Sequence, residues 1–258
     1  AISNMEKFDP YSTLKNYVFY LKDLKRFEII GPKTDSFSHF FQAFLKHQHF
    51  HLFSVSFRNS ELDEKDLGVI HDFLVGRNIK GVEFHKAIKK EAMSSLFQFF
   101  FNPDLMNNLI SLNISESSDI DMNRLILKLN NIQVLSLAKC DVEVGDTLRK
   151  LSSLTNLRML DLSNNTFRVK YTSLPPNLTS LYLNYVSWSD QTLLYFVTHL
   201  PNHYITISMC YAQASGTEWA TFYNYLPTIH GNFGIESFAF DGNRVHQNLF
   251  NFLSENNR

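Results

Sequence analysis

Apolar residues recur along this chain in an eleven-place frame, hydrophobic at places one, four and six, Asn or Cys at nine, and hydrophobic again at eleven. The cleanest copy is Leu157, Leu160, Leu162, Asn165 and Phe167. Ile235, Phe238, Phe240, Asn243 and Val245 repeat it, as do Ile132, Leu135, Leu137, Cys140 and Val142. Looser copies are Leu52, Val55, Phe57 and Leu62; Ile79, Val82 and Phe84; Leu109, Leu112 and Ile114; and Leu178, Leu181, Leu183 and Trp188. A frame opening at Asn202 takes Ile205, Ile207, Cys210 and Ala212, which puts both cysteines at a ninth place. A first copy is read at Leu24, Phe27 and Ile29. Frame starts at 24, 52, 79, 109, 132, 157, 178, 202 and 235 lie 28, 27, 30, 23, 25, 21, 24 and 33 residues apart.

Places four and six fall on one side of an extended segment and three and five on the other, because side chains alternate along a strand. Each frame therefore predicts a short strand with one buried side. At the ninth place the chain must turn, and an Asn amide there can satisfy backbone groups of its own turn and of the adjacent coil. Between frames the apolar spacing becomes helical. Asp63-Glu64-Lys65-Asp66 precedes the stripe Leu67, Ile70, Phe73 and Leu74, with acidic residues in the first turn. Similar stripes are Leu96, Phe99, Phe100; Leu125, Ile126, Leu129; Leu148, Leu151, Leu154; Leu193, Phe196, Val197, Leu200; Trp219, Phe222, Tyr223, Leu226; and Leu249, Phe250, Leu253. The stretch from Arg168 to Asn177 is the exception, since Leu174-Pro175-Pro176 forbids a regular helix and predicts an extended return.

This frame resembles that of the leucine-rich-repeat superfamily across roughly residues 50 to 250. The resemblance implies an α/β fold: a right-handed solenoid bent into a horseshoe or arc, with a parallel sheet on its concave face and mostly helices on its convex face. The irregular units, the Phe-rich helices and the stretch from Phe37 to Leu45 before a strand ending in Asn59-Ser60-Glu61-Leu62 resemble the intracellular ribonuclease-inhibitor-like subclass. In style they are similar to the repeat arm of CARMIL-type cytoskeletal regulators. Two alternatives stand beside that reading. Leu174-Pro-Pro-Asn-Leu-Thr-Ser-Leu-Tyr-Leu183 resembles one unit of the bacterial effector ubiquitin ligases, which implies the substrate-recognition part of a larger enzyme. A receptor ectodomain is the third.

Residues 1–50 are expected to hold an N-terminal helical cap and the first irregular repeat, with Tyr11, Leu14, Tyr17, Val18, Leu21 and Leu24 at near-helical spacing. Residues 51–258 are expected to form the array proper. It ends at Arg258 without a distinctive polar cap, so a fragment of a longer protein is expected. The 24 phenylalanines are read as core filling.

A net charge of −1 with interspersed signs leaves no footprint for nucleic acid, and no apolar run is long enough to insert into a membrane. Three strand spacings, about 14 Å, separate the two cysteine frames, beyond the reach of a disulfide. Two buried free thiols fit a cytoplasmic location. His47, His49 and His51 alternate at a helix-to-strand junction and are read as solvated rather than as a zinc site. No phosphate-cradling glycine loop, activated nucleophile or paired carboxylates emerge. The chain is therefore expected to be non-catalytic, with no cofactor, no metal and no small-molecule substrate.

Places three, five, seven and eight should face solvent on the sheet. The N-terminal columns are small and polar: Ser54, Ser56, Arg58, Asn59; Gly81, Glu83, His85, Lys86; Ser111, Asn113, Ser115, Glu116; Val134, Ser136, Ala138, Lys139. Toward the C-terminus they carry aromatics, and Met159, Asp161, Tyr182, Tyr185, Tyr204, Met209 and Tyr211 are the expected contact residues for a protein partner on the concave face. A competing reading has the tyrosines stacking on one another across adjacent strands.

Overall fold

Among the described residues, the frames set their fourth and sixth places on the inner side of short parallel strands and send the chain back through helices or, at residues 168–177, a non-helical return. In the computed structural model the residues described are 25–31, 37, 41–42, 52–100, 103–170, 173–189, 192–200, 205–215, 218–222, 224 and 235–239. The fold is α/β, and the chain divides into two units, Ala1–Asp119 with Leu127–Asn131, and Ile120–Ile126 with Ile132–Arg258. Expectations for the N-terminal cap, the histidine triplet, Tyr204 and residues 240–258 lie outside the described residues.

In the first unit, strands β1 (Arg26–Ile30), β2 (Ser54–Arg58), β3 (Gly81–His85) and β4 (Ser111–Asn113) pair in parallel and in chain order. Phe27, Val55, Val82 and Leu112 stand in one register row, each a fourth place. Phe41, from the segment before β2, meets Phe57 at 5.8 Å and Phe73 at 5.3 Å, and Phe57 stacks on Phe84 at 5.5 Å. Phenylalanine thus fills this core, as its abundance suggests. Helix α1 (Glu64–Leu74) buries Leu67, Ile70, Phe73 and Leu74. It starts at Asp63, whose carboxylate accepts from the amides of Lys65 and Asp66 while Asp66 accepts from the amide of Asp63, a reciprocal cap. Helix α2 (Met93–Phe100) follows β3. A further short helix, α3 (Pro103–Asn108), opens on Pro103 and buries Leu105 and Met106, a use of proline at a first helical turn that the periodicity did not reveal.

In the second unit, β5 (Val134–Ser136), β6 (Met159–Asp161), β8 (Ser180–Tyr182), β10 (Ile205–Ser208) and β11 (Ile235–Ala239) form parallel neighbours. The eleventh places pair too: β7 (Thr166–Phe167) and β9 (Ser187–Trp188) make a second parallel ribbon. Phe167 stacks on Trp188 at 4.6 Å, and Phe196 meets both. Helices α4 (Met122–Ile126), α5 (Val144–Leu151) and α6 (Thr192–Thr198) bury the expected Leu125, Leu148, Leu151, Leu193 and Phe196. No described residue between 168 and 177 is helical, as Pro175-Pro176 requires.

The eighth place is left-handed in every copy described. Gly31, Asn59, Lys86, Glu116, Lys139, Asn164, Tyr185 and Tyr211 have φ between 47° and 106°. The turned amide donates to the seventh-place carbonyl of the next strand: Gly31 to Arg58 at 2.8 Å, Asn59 to His85 at 3.0 Å, Lys86 to Ser115 at 2.9 Å. In the second unit Lys139 donates to Ser163 at 2.8 Å, Asn164 to Asn184 at 2.7 Å and Tyr185 to Cys210 at 2.9 Å.

This ladder corrects one frame. Thr206 pairs with Ser180 and Ile207 with Leu181, so places three to nine of that copy run from Thr206 to Ala212, two residues later than the frame opening at Asn202. Cys210 is then a seventh-place residue and only half-buried, whereas Cys140 is a buried ninth-place residue; both are free thiols. Ile205 opposes Ile235 while Thr206 opposes Ser237, an irregularity that lets Ile205 turn inward. The slip arose because Ile205, Ile207 and Met209 alternate, and a two-residue shift keeps Thr206, Ile207 and Ser208 of the strand on the same faces.

Asn165 does what its place demands. Its carbonyl accepts from the amides of Cys140 and Val142, and its NH2 donates to the carbonyls of Leu137 and Leu162 at 2.9 Å. The ninth places Ser60, Ala87, Ser117, Val186 and Ala212 are buried too, but none is an amide. On the returning side, Glu143 caps α5 by accepting from the Asp146 amide and also accepts from the amides of Arg168 and Val169. That bridge brings the Val169 carbonyl to Gly145, where a Cβ would sit 1.6 Å from the oxygen.

Asn165→Ala should destabilise the fold by roughly 2–4 kcal/mol, because the buried amides of Cys140 and Val142 lose the Asn165 carbonyl as acceptor; a urea melt measures it. Gly145→Ala should cost about 2 kcal/mol or more through overpacking against backbone. Gly68→Ala, in α1 with nothing within 4 Å of the added carbon, should instead raise stability by about 0.5–1 kcal/mol in the same melt.

Candidate functional site

The solvent-facing side of each strand carries the third and fifth places, and the two units use it differently. In the first unit it is filled by charge pairs. Arg58 reaches Glu28 through Nε at 3.1 Å and Glu83 through Nη2 at 2.9 Å. Ser56 donates to Glu83 at 2.9 Å, and Asn113 donates to the same carboxylate at 3.2 Å. His85 lies 3.7 Å from Glu116. The residues expected to be merely small and polar thus form a network across four strands. Its signal was legible as Glu28, Arg58 and Glu83 at places five, seven and five of successive frames, within reach of one another across neighbouring strands.

Among the described residues of the second unit the same side is polar but short of ions. Register places Ser136, Asp161, Tyr182 and Ser208 in one row, and Val134, Met159, Ser180 and Thr206 in the row beside it. Met159, Asp161 and Tyr182 are half-buried, as expected for sheet-face residues. The Asp161 carboxylate accepts from the Ser163 amide at 2.9 Å and from the Ser136 hydroxyl at 3.4 Å. Asn184 accepts from the Ser208 hydroxyl at 2.7 Å and the Cys210 amide at 2.8 Å, so this seventh-place Asn organises the edge of the face.

Tyr185 and Tyr211 hold equivalent eighth places and are each 47% exposed. Their rings stack, with centroids 4.9 Å apart and planes within 5° of parallel. Tyr211 is therefore not a rim residue next to the frame but the left-handed residue of it. Met209 is corrected outright: it is a sixth-place residue, pointing inward and fully buried, and contributes nothing to the surface. The cause is the two-residue slip described above. Tyr204 lies outside the described residues.

The stacked pair is costly to build. Left-handed backbone disfavours side chains with a Cβ by roughly 1–2 kcal/mol per residue, and Asn tolerates it best after Gly. Other copies use Gly31, Asn59 and Asn164 at this place, and Lys86, Glu116 and Lys139 as well. Two exposed aromatics at consecutive strained positions thus form a flat apolar shelf beside the polar rows, the composition favoured at protein-contact surfaces.

Elsewhere in the first unit an open depression of about 490 Å³ is lined by Gly76, Arg77, Asn78, Lys80, Asn107 and Asn108. Arg77 lies over the Phe73 ring at 4.6 Å and donates to the Phe73 carbonyl, so its cation serves the end of α1. Burial holds its guanidinium below the ordinary arginine value. No helix among the described residues is long and apolar enough to cross a membrane.

No protein-family model matches the chain, and no curated protein matches it.

If the tyrosine stack is a surface feature rather than a fold requirement, Tyr185→Asn with Tyr211→Asn should leave the thermal midpoint within a few degrees of the parent. Loss of the ring contact and relief of the left-handed backbone are each of about 1 kcal/mol and opposite in sign. Differential scanning fluorimetry decides it.

Proposed function

We propose that the chain is a leucine-rich-repeat solenoid that acts as a non-catalytic interaction scaffold and receives a protein partner on its concave sheet face. The eleven-place frame, the parallel register and the repeated left-handed eighth place support the repeat reading. The observation that carries the function is the exposed, parallel Tyr185–Tyr211 stack, built on backbone that a smaller residue would occupy at lower cost.

The contact surface comprises Met159, Asp161, Tyr182, Tyr185 and Tyr211. The face of the first unit is less available, because a partner would have to displace the Arg58 network or match it. The free thiols favour a cytoplasmic setting, and the style of the repeats favours a role as the arm of a cytoskeletal or signalling regulator.

Proteins retained by the immobilised chain, compared with those retained by the Tyr185→Asn/Tyr211→Asn chain in quantitative mass spectrometry, test this reading. Specific partners should fall at least about tenfold with the double variant, as expected for aromatic anchors at an interface. An unchanged set of partners would count against the face.

A further inference from the structure

The charged groups of the two sheet faces differ in one respect. In the first unit the carboxylates of Glu28 and Glu83 share Arg58, and Glu116 faces His85. Asp161, at the corresponding fifth place in the second unit, meets a serine hydroxyl and a backbone amide, and among the described residues it has no cation. It is a half-buried carboxylate without a Coulomb partner among the described residues, set in a row where its other neighbour is an aromatic ring.

That neighbour is Tyr182, the direct register partner of Asp161 on the adjoining strand. Side chains so paired in a parallel sheet rise from backbones about 4.8 Å apart. A planar cation laid over the Tyr182 ring would therefore bring its edge to the carboxylate. The ring face attracts a cation, and a guanidinium satisfies both contacts better than an ammonium because it is flat, weakly hydrated and donates along its edge. The Asp161 oxygens retain lone pairs after the Ser163 and Ser136 contacts, since a carboxylate offers about four acceptor sites. On the other side of Tyr182 stands Ser208, whose hydroxyl is committed to Asn184, so among the described residues the row sets no cation beside the ring there.

We propose that Asp161 and Tyr182 form a subsite for an arginine side chain presented by the protein partner, a proposal that rests on the scaffold reading above and specifies its partner. The Tyr185–Tyr211 shelf supplies apolar contact area, and the Asp161–Tyr182 pair supplies selection. An acidic residue at the same point of a partner would be rejected by Asp161.

The test pans a randomised peptide display library on the purified full chain, on Asp161→Asn, on Tyr182→Leu and on Tyr185→Asn/Tyr211→Asn. The parent chain should enrich peptides with arginine at a fixed position. Those peptides should bind Asp161→Asn about tenfold or more weakly. Replacing their arginine by citrulline, its neutral isostere, should lose as much on the parent chain and little further on Asp161→Asn, the signature of a direct pair. Asparagine can still accept from the Ser163 amide, and circular dichroism verifies the fold. Should that variant fail to fold, the citrulline peptides on the parent chain and on Tyr182→Leu carry the same comparison. Enriched peptides without arginine, or losses from citrulline and Asp161→Asn that simply add, overturn the subsite. In those cases the docking face stands if binding still falls on the double tyrosine variant. A parent chain that retains no peptide, or selection untouched by the tyrosine changes, overturns the docking reading and this inference with it.

Discussion

The rest of the structure depends on a single recurring backbone bond, the amide of a left-handed eighth residue donating to the seventh-place carbonyl of the next strand. Short three-residue strands such as β5, β6 and β8 exchange few ladder bonds of their own. The eighth-place bond extends each pairing past the strand end and fixes where the chain leaves the sheet. It therefore determines which residues face inward, because a slip at this point would carry the whole following turn with it. The turned conformation is unfavourable for most side chains, so the burial of places four, six and nine must offset it in each copy.

Much of this was legible in the chain. The alternation of Leu160 and Leu162, or of Val55 and Phe57, can only be satisfied by a strand with one dry side, and the helical stripes of α1 and α5 match the residues that are buried. The left-handed residue was not legible by type. Lys86, Glu116 and Lys139 carry no local preference for that backbone, and tertiary pairing overrides their propensity. The frame near Ile205 failed for a different reason. Ile205, Ile207 and Met209 offer two equally apolar registers, and a cysteine two residues early resembled the turn residue that Ala212 is. Packing against β8 settled a choice that hydrophobicity left degenerate.

The candidate surface was legible to a similar extent. Tyr182 and Asp161 were assigned to the sheet face from alternation and Tyr185 from its eighth place in the frame; the first two lie on the strands and Tyr185 is exposed just past one. Met209 was lost to the slipped frame. The stacking of Tyr185 on Tyr211 combines both readings of the tyrosines: the rings do pack across neighbouring copies, yet nearly half of each stays open to solvent. What no frame could supply was the distribution of ion pairs, because whether Arg58 meets Glu28, Glu83 or water depends on side-chain reach across register rows. Among the described residues, that distribution separates a self-satisfied face from one whose carboxylate has no cation.

The left-handed tyrosines also have a genetic consequence. Every tyrosine codon becomes an asparagine codon by one change at its first base, so the backbone-compatible alternative already used at Asn59 and Asn164 is a single mutational step away. With the lost ring contact offsetting the relieved backbone, stability alone would not hold the tyrosines against that step at either position. Related genes in which the aromatic pair persists would thus carry a record of selection for the rings themselves, readable from substitution patterns without purifying any protein.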